Sequence, residues 1–456
     1  MTSRIIVVDD EKDFLDSVRR GLIMSGYKDL TLTPDPLHAV ALLESGECFD
    51  VAILDITMPD MDGMELLQKF QTLSPATECI MVTAINEVRV AVECMQKGAC
   101  DYLVKPILRE DLILRLQRAL EKRRLMEILE LRSRPTLPRL SNEEAFRDIR
   151  TASTAIMKIL KEAELHAASD VPVLITGESG TGKELLARAI HRASPRAAHP
   201  FTAINMASMS ETLFDAEFFG HTRGAFTGAE KERAGYLERT HQGTLFLDEI
   251  ANLPPGLQGK LLRVLQEGEF MKLGSSNSRR IDIRFIAATN QDLERLLSKG
   301  SFRKDLYFRL RGAWLHVPPL RERREDIPVL VDGFLRELGK EPGSQSVEPD
   351  AMSLLMEYDY PGNIRELRSI IQATVNLVQP RPISSKSLPS YVQKHRKSTK
   401  NPPETGGHAS VLLAEVEKAH ILRVYEGTGE NKAQTAKLLD IGLSTLRRKL
   451  ESYGLE

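Results

Sequence analysis

A chain of 456 residues is too long for one hydrophobic core, so two to four domains are expected. Its 42% hydrophobic and 28% charged residues are ordinary for a soluble globular protein. A formal net charge of −2 excludes nucleic-acid binding by bulk charge, and leaves it to a local basic patch. The four cysteines, Cys48, Cys79, Cys94 and Cys100, form no C-x-x-C pair. Three of them stand in apolar surroundings, so buried free thiols in a reducing cytosol are expected. "MTSRIIVVDDEKDF" lacks the apolar region of a signal peptide, and no apolar run approaches membrane-spanning length. A cytoplasmic protein without a membrane partner is the expectation.

Residues 4–106 alternate strand and helix patterns. "RIIVVDD", "DVAILD", "CIMVTA" and "DYLVKP" are short apolar runs ending in polar residues, the mark of a parallel sheet covered on both faces. From Arg109 a helical pattern runs unbroken to Pro135. Leu112, Leu116, Leu120, Leu125 and Leu129 keep a rough stripe with imperfect heptads, which fits either a solvated helix or a dimerising one. Residues 143–380 form a second α/β block with its own glycine-rich loop, and no internal repeat is seen. Residues 381–409, rich in Pro, Ser, Lys and Gly, read as a flexible tether, and 410–456 as short helices.

In the first block Asp9, Asp10 and Asp55 fall at strand ends, where an open parallel sheet presents its ligand crevice. Three carboxylates there need a cation, and hard oxygen ligands select Mg²⁺. Thr83 and Lys105 end two further strands and suit the oxygens of a phosphoryl group that an aspartate receives. With "VVDD", "LDITMPDMDG" and "DYLVKP", residues 1–120 resemble the flavodoxin-like receiver domain of two-component response regulators. The resemblance implies that Asp55 is the phosphoacceptor and that a cognate sensor histidine kinase is the donor. It implies that Asp9, Asp10 and the Thr57 carbonyl complete the Mg²⁺ site. It makes Thr83 and Lys105 the phosphoryl contacts, Tyr102 the switch aromatic, and Lys105–Pro106 a cis peptide.

"VPVLITGESGTGKELLARAIH" is a strand, a glycine-rich turn and an amphipathic helix, and Gly177–Lys183 matches G-x-x-x-x-G-K. Lys183 would reach the β/γ oxygens of a nucleotide, while Glu184 stands where a Mg²⁺-binding hydroxyl is usual. "GTLFLDEI" supplies the second sign: Asp248 to hold Mg²⁺ and Glu249 to polarise the attacking water. Residues 143–380 resemble the AAA+ P-loop ATPase domain of NtrC-type activators of sigma-54 RNA polymerase, with a helical lid over about 315–380. Members carry "GESGTGKE", which makes Gly177, Glu178, Ser179, Gly180, Thr181, Gly182, Lys183 and Glu184 the ATP-binding loop. The resemblance makes Asn205 the residue that restrains Glu249, Thr289 and Asn290 the γ-phosphate sensors, and Arg365 the second sensor arginine. Arg303 and Arg309, read as two arginines on a loop, become fingers acting in a neighbouring subunit, so a ring is required. Tyr360 stands where members usually have Trp, and the swap is expected to affect packing. "GAFTGA", Gly224, Ala225, Phe226, Thr227, Gly228 and Ala229, is the mark of these activators. An isolated Phe is more often core. In this setting the resemblance makes Phe226 and Thr227 the contact to the sigma factor.

The C-terminal stretch reads as three helices with a tight turn at Asp440–Gly442. Leu438, Leu439, Ile441, Leu446, Leu450 and Leu455 are its candidate core. Residues 431–453 hold five Lys/Arg against two Asp/Glu, and the turn spacing fits helix-turn-helix. The segment resembles the small all-α Fis-type domain that ends NtrC-type regulators, with Asp440 where a glycine is common. Ser444, Thr445, Arg447 and Arg448 are expected at base edges, and Lys432, Gln434 and Lys449 at phosphates.

The whole then resembles a receiver (1–120), a helical linker (121–142), an AAA+ motor (143–380), a tether (381–409) and a DNA reader (410–456). Such a chain would use ATP and Mg²⁺, bind enhancer DNA and sigma-54 RNA polymerase holoenzyme, and pass from an inactive dimer to a hexamer-like ring. Two other readings are a DNA-binding regulator acting by occupancy, with a vestigial motor, and an AAA+ remodelling chaperone. The first should have lost Lys183, Asp248, Glu249, Asn205 or the arginine fingers, and all are present. The second leaves the receiver and the DNA-binding end unexplained.

Overall fold

The computed structural model describes residues 3–84, 88–133, 137–208, 211–226, 229–338, 346–378, 381–399 and 413–453. In the first block β1 (Ile5–Val8), β2 (Leu30–Thr33), β3 (Val51–Asp55), β4 (Glu78–Thr83) and β5 (Asp101–Val104) make a parallel sheet ordered β2-β1-β3-β4-β5. Helices α1 (Lys12–Met24), α2 (Pro36–Glu44), α3 (Gly63–Leu73), α4 (Val88–Gln96) and α5 (Arg109–Ser133) cover it. Strand alternation sends Ile6, Val8, Ala52 and Leu54 to one core, and Ile5, Val7, Val51 and Ile53 to the other. Helix starts are fixed locally: the Asp35 carboxylate accepts from Leu37 N, with Pro36 in the first turn, and Asp62 accepts from Glu65 N, each at 2.8 Å. Cys79 and Cys94 are buried, and all four cysteines are free thiols. Burial pushes the Cys79 thiol upward and that of Cys100 to about 12, which keeps both inert at neutral pH.

The second block opens with α6 (Glu143–Phe146) and α7 (Thr154–Ala167). Then come β6 (Val173–Thr176), α8 (Lys183–Arg192), β7 (Phe201–Asn205), α9 (Glu211–Phe218) and the hairpin β8 (Gly220–His221) with β9 (Arg233–Ala234). After α10 (Tyr236–Arg239) and β10 (Thr244–Asp248) follow α11 (Pro255–Glu267) and a second hairpin, β11 (Glu269–Met271) with β12 (Ser278–Arg280). The sheet is completed by β13 (Arg284–Thr289) and, after α12 (Leu293–Ser298) and α13 (Lys304–Leu310), by β14 (Ala313–His316). Its order is β14-β6-β13-β10-β7, all parallel. Leu245 and Leu247 pack on one face while Phe246 packs on the other, so both faces are buried.

Helix α5 serves both blocks. Leu112, Leu116 and Ala119 close the first sheet. One turn further, Arg124 donates to the Ser169 hydroxyl, Glu127 lies 3.7 Å from Lys161 Nζ on α7, and Ile128 is buried. Leu125, Met126 and Leu129, by contrast, are exposed. The rough stripe therefore has a face used within the chain and a face left open.

Three helices form the lid: α14 (Asp326–Glu337), α15 (Pro349–Glu357) and α16 (Asn363–Val378). Tyr360 is fully enclosed, and its hydroxyl donates to Leu355 O at 2.6 Å, so the residue acts through packing. The stretch that composition assigns to a tether is folded further than expected. Ile383 bridges to Val347 and is buried, Ser385–Ser387 is a 3₁₀ turn, and α17 spans Ser390–Thr399. A few apolar anchors (Ile383, Leu388, Val392) suffice to order this polar segment.

Met1–Pro389 and Ser390–Glu456 are separate bodies. In the second, α18 (Leu413–Gly427), α19 (Lys432–Leu438) and α20 (Leu443–Ser452) enclose Ile421, Tyr425, Ala436, Leu446 and Leu450. Leu439 and Ile441 pack against them as expected. Leu438 does not: it is 66% exposed, because it lies off the stripe formed by Thr435, Ala436 and Leu439. Leu455 lies outside the described residues. Asp440 takes φ +51 in the turn, the left-handed conformation that suits glycine and that aspartate tolerates.

Candidate functional site

In the first sheet the order reverses between β1 and β3, and the carboxyl ends of those strands carry Asp9 and Asp55. One carboxylate oxygen from each of Asp9, Asp10 and Asp55 lies within 4.8 Å of the others. Lys105 Nζ is 2.8 Å from Asp9, 3.3 Å from Asp55 and 3.2 Å from Glu11. Burial pushes both buried carboxyls up, Asp55 further through the Asp9 charge, although Lys105 pulls them back. Burial also works against the Lys105 ammonium, but its hydrogen bond to Asp9 and the Asp9 and Asp55 charges outweigh this and raise its pKa. One ammonium does not balance three carboxylates, so the donor set fits a divalent ion. Thr83 is fully buried at the end of β4, Tyr102 is half-buried on β5, Thr57 is exposed after β3, and Lys105–Pro106 is cis.

The glycine-rich turn joins β6 to α8. Gly177, Gly180 and Gly182 all take positive φ, and at Gly180 a Cβ would stand 2.4 Å from Gly362 O, so no side chain fits there. Lys183 Nζ donates to Gly177 O at 2.8 Å and Glu178 O at 2.9 Å, and burial lowers its pKa. The loop and its lysine are thus wrapped for phosphate at the N-terminus of α8. Glu184 is on the surface of that helix, paired with Arg188 at 2.8 Å. Asp248 ends β10 with its carboxyl raised by burial, and Glu249 follows at φ +53, an uncommon conformation for a non-glycine residue. Glu249 accepts from Asn290 N at 3.4 Å, next to the buried Thr289. Asn205 stands beside Asp248 in register, but its Oδ1 accepts from Ala207 N at 2.9 Å, and among the described hydrogen bonds none joins it to Glu249. Arg365, on α16, donates to the Ser179 hydroxyl at 3.1 Å.

Of the two arginines read as loop residues, Arg303 does stand just outside a helix, whereas Arg309 lies on one. Arg303 is the N-cap of α13, paired with Asp305 at 2.7 Å, and Arg309 lies on the helix and donates to Leu265 O at 3.1 Å. Both are exposed, and their described hydrogen bonds go to Asp305 and Leu265 rather than to the phosphate loop.

The GAFTGA segment leaves the sheet between β8 and β9. Gly224 takes φ +79, Gly224 N donates to Ala229 O at 2.8 Å, and Ala229 is buried. Phe226 is 46% exposed, its ring meeting only an edge of His221 at 5.0 Å among the described ring contacts, so it is not a core residue. Ala225 lies beside it, and Thr227 and Gly228 lie outside the described residues. The loop base is strapped to the second hairpin: Thr222 N donates to Leu273 O and Leu273 N to Gly220 O, both at 3.0 Å. Lys272 pairs with Glu232 at 2.7 Å and Glu238 at 2.8 Å. Sequence reasoning missed this strap, because hairpin pairings join segments fifty residues apart. It also missed Arg321, Arg323 and Asn363, which meet the phosphate loop; the signals were the charge-dense "RERRED" after β14 for the arginines and, for Asn363, its place two residues before Arg365 in "YPGNIRELR".

On the C-terminal body Ser444, Arg447 and Arg448 are exposed on α20, Thr445 is half-buried, and Gln434 is exposed on α19 beside the half-buried Lys432. Lys449 is engaged with Glu417 of α18 at 2.8 Å, which ties helices together rather than leaving an unencumbered cation.

Family models match the four parts in order: a response regulator receiver domain over residues 5–117, a sigma-54 interaction domain over 149–316, an AAA+ ATPase lid domain over 321–405, and a bacterial regulatory protein domain of the Fis family over 412–453. The regulatory protein AtoC of Escherichia coli is 39% identical over all of this chain and 98% of its own length. The transcriptional regulatory protein ZraR of Klebsiella oxytoca is 40% identical over 98% of both. Crystal structures of NtrX from Brucella abortus cover 100% of both chains: one at 31% identity and TM-score 0.51, and one in complex with ATP at 32% and 0.50. A nucleotide-binding AAA+ core, a receiver and a Fis-type DNA-binding domain on one chain, matched end to end by such relatives, mean that this chain belongs to the NtrC-type family of sigma-54-dependent two-component response regulators.

Proposed function

We propose that phosphorylation of Asp55 controls an ATP-driven ring that remodels sigma-54 RNA polymerase at promoters reached from enhancer-bound dimers in the cytoplasm. A bound Mg²⁺ would neutralise the carboxylates of Asp9, Asp10 and Asp55 and the oxygens of an incoming phosphoryl group. The Asp55 carboxylate accepts that group from the kinase, Lys105 and Thr83 hold its oxygens, and Tyr102 follows the change. In the motor Lys183 and the loop amides bind the phosphates, Asp248 holds a second Mg²⁺, and Glu249 orients water. Thr289, Asn290 and Arg365 read the γ-phosphate, while Arg303 and Arg309 complete the neighbouring subunit's site. Hydrolysis moves the loop that carries Phe226 and Thr227 against the sigma factor.

The observation that carries this reading is α5, one unbroken helix that packs on the first sheet through Leu116 and reaches the motor at Lys161 of α7 through Glu127 and at Ser169, just past that helix, through Arg124. The helix thus joins the domain that carries Asp55 to the ATPase, and its open face at Leu125, Met126 and Leu129 would serve a second copy. ATPase activity measured against protein concentration, with and without beryllofluoride, tests it on wild type and Asp55→Ala. Wild type should show cooperative, concentration-dependent activity that the mimic shifts, and Asp55→Ala should ignore the mimic. Wild-type activity indifferent to both variables would sink the switch.

A further inference from the structure

Four successive residues of the phosphate loop are each held by the lid or by the segment leading into it. Glu178 takes both nitrogens of Arg321, at 2.6 and 2.9 Å, and the Asn363 amide at 3.0 Å. Ser179 O accepts from the same Asn363 amide at 3.0 Å, and its hydroxyl accepts from Arg365. Gly180 O accepts from Ile364 N at 3.0 Å, and Thr181 O from the buried Arg323 at 2.9 Å. Asn363 is fully buried at φ +53, and its Oδ1 accepts from Leu320 N at 2.8 Å. One amide thus joins the loop, the segment before α14 and the first residue of α16. Asn363 is two positions from Arg365, so whatever sets Asn363 sets where the Arg365 guanidinium starts its reach.

We propose that Glu178, Arg321 and Asn363 form a clasp that positions Arg365 over the terminal phosphate, so that the site distinguishes ATP from ADP. The inference rests on the ATPase reading. None of the three touches the reacting atoms in this role; they are positioning residues. The Arg321 hydrogen bonds, then that of Asn363, hold the Glu178 carboxyl down to about 2, so the clasp keeps its charge across the physiological range. Fork-to-fork pairing fixes direction as well as distance, which a lysine in place of Arg321 cannot reproduce. The pair is partly exposed, at 38% and 43%, and such a pair adds little to global stability. The paired geometry therefore serves orientation more than folding. ADP lacks the phosphate that Arg365 would meet, so loosening the clasp should weaken ATP binding selectively.

The test measures binding of a non-hydrolysable ATP analogue and of ADP to full-length protein by displacement of a fluorescent nucleotide. Arg321→Ala and Arg321→Lys are expected to lose roughly tenfold in analogue affinity with ADP affinity and melting temperature near wild type. Arg321→Glu, which repels the Glu178 carboxylate, should lose at least as much analogue affinity as Arg321→Ala. Equal losses for both nucleotides, or no loss for either, would overturn the clasp. Nucleotide binding absent from wild type itself, with Lys183→Ala no worse, would instead remove the ATPase reading and the clasp with it.

Discussion

Asp9 and Asp55 are held with raised pKa values, mainly by burial, so the folded receiver binds their protons more tightly than the unfolded chain does. By linkage, the metal-free domain is then most stable at and below the ordinary aspartate range and loses stability as pH rises through the higher folded values. Asp55→Asn removes one of the mutually repelling charges. It should raise the stability of the metal-free receiver at pH 7 by on the order of 1 kcal/mol and flatten its pH slope. Differential scanning calorimetry with EDTA, at pH 5 and pH 8, reads both. A variant no more stable than wild type at pH 8 would show that Lys105 already cancels the repulsion. The strand ends made this cluster legible in the sequence, because polar residues closing apolar runs must meet at one rim. The clasp on Glu178 was not legible: its partners are 143 and 185 positions away, and nothing local marks an arginine that folds back onto a loop.

At the scale of elements, apolar runs located β1, β3, β4, β5, β6 and β10 and the long helix α5, while β2, the two hairpins and β14 went unread because they are short or only partly buried. Composition alone assigned 381–409 to a tether, yet scattered apolar residues order its described part, 381–399. Arg284 is the sharper case. It is the first residue of β13, in "DIRFIAATN", yet it is 1% exposed and donates to Ala167 O and His166 O, both at 2.7 Å. It closes the C-terminus of α7, where carbonyls lack helical partners and the helix dipole favours a cation. Burial nonetheless lowers its pKa to about 10, and it remains charged at neutral pH. Arg284→Met would fill the volume but orphan both carbonyls, so the ATPase block should lose about 2–4 kcal/mol. Arg284→Lys, reaching one carbonyl, should fall between. Urea denaturation followed by far-UV circular dichroism gives the comparison, and a Met variant as stable as wild type would refute the capping role. Since Arg124 of α5 ends beside the same helix terminus, at Ser169, both variants should also loosen the receiver's hold on the motor.

For the whole molecule, the question is what the motor's work is applied to. The nucleotide site alone fits many AAA+ machines, and the receiver alone fits many regulators; the projecting loop is what separates this chain from both. Phe226 is nearly half exposed on a glycine-bracketed loop, which leaves its ring available to a partner. The loop base is bonded through Thr222 and Leu273 to the β11–β12 hairpin, and that hairpin follows α11, the helix after the Asp248–Glu249 strand end. Movement at the Asp248–Glu249 strand end would thus have a covalent and hydrogen-bonded route, through α11 and the hairpin, to the base of the Phe226 loop, while the described ring contact of Phe226 is to His221 and not to the phosphate loop. Phe226→Ala should therefore keep ATPase activity within about threefold of wild type, since no catalytic group is altered, and keep enhancer binding unchanged. It should abolish open-complex formation by sigma-54 holoenzyme on a linear promoter, and it should fail to bind sigma factor in the presence of a transition-state analogue of ATP. Phe226→Tyr, which keeps the ring, should retain part of both. Full promoter opening by Phe226→Ala would mean that the ring is not the contact. Loss of ATPase activity in proportion to promoter opening would mean that the loop serves the motor's assembly rather than its output.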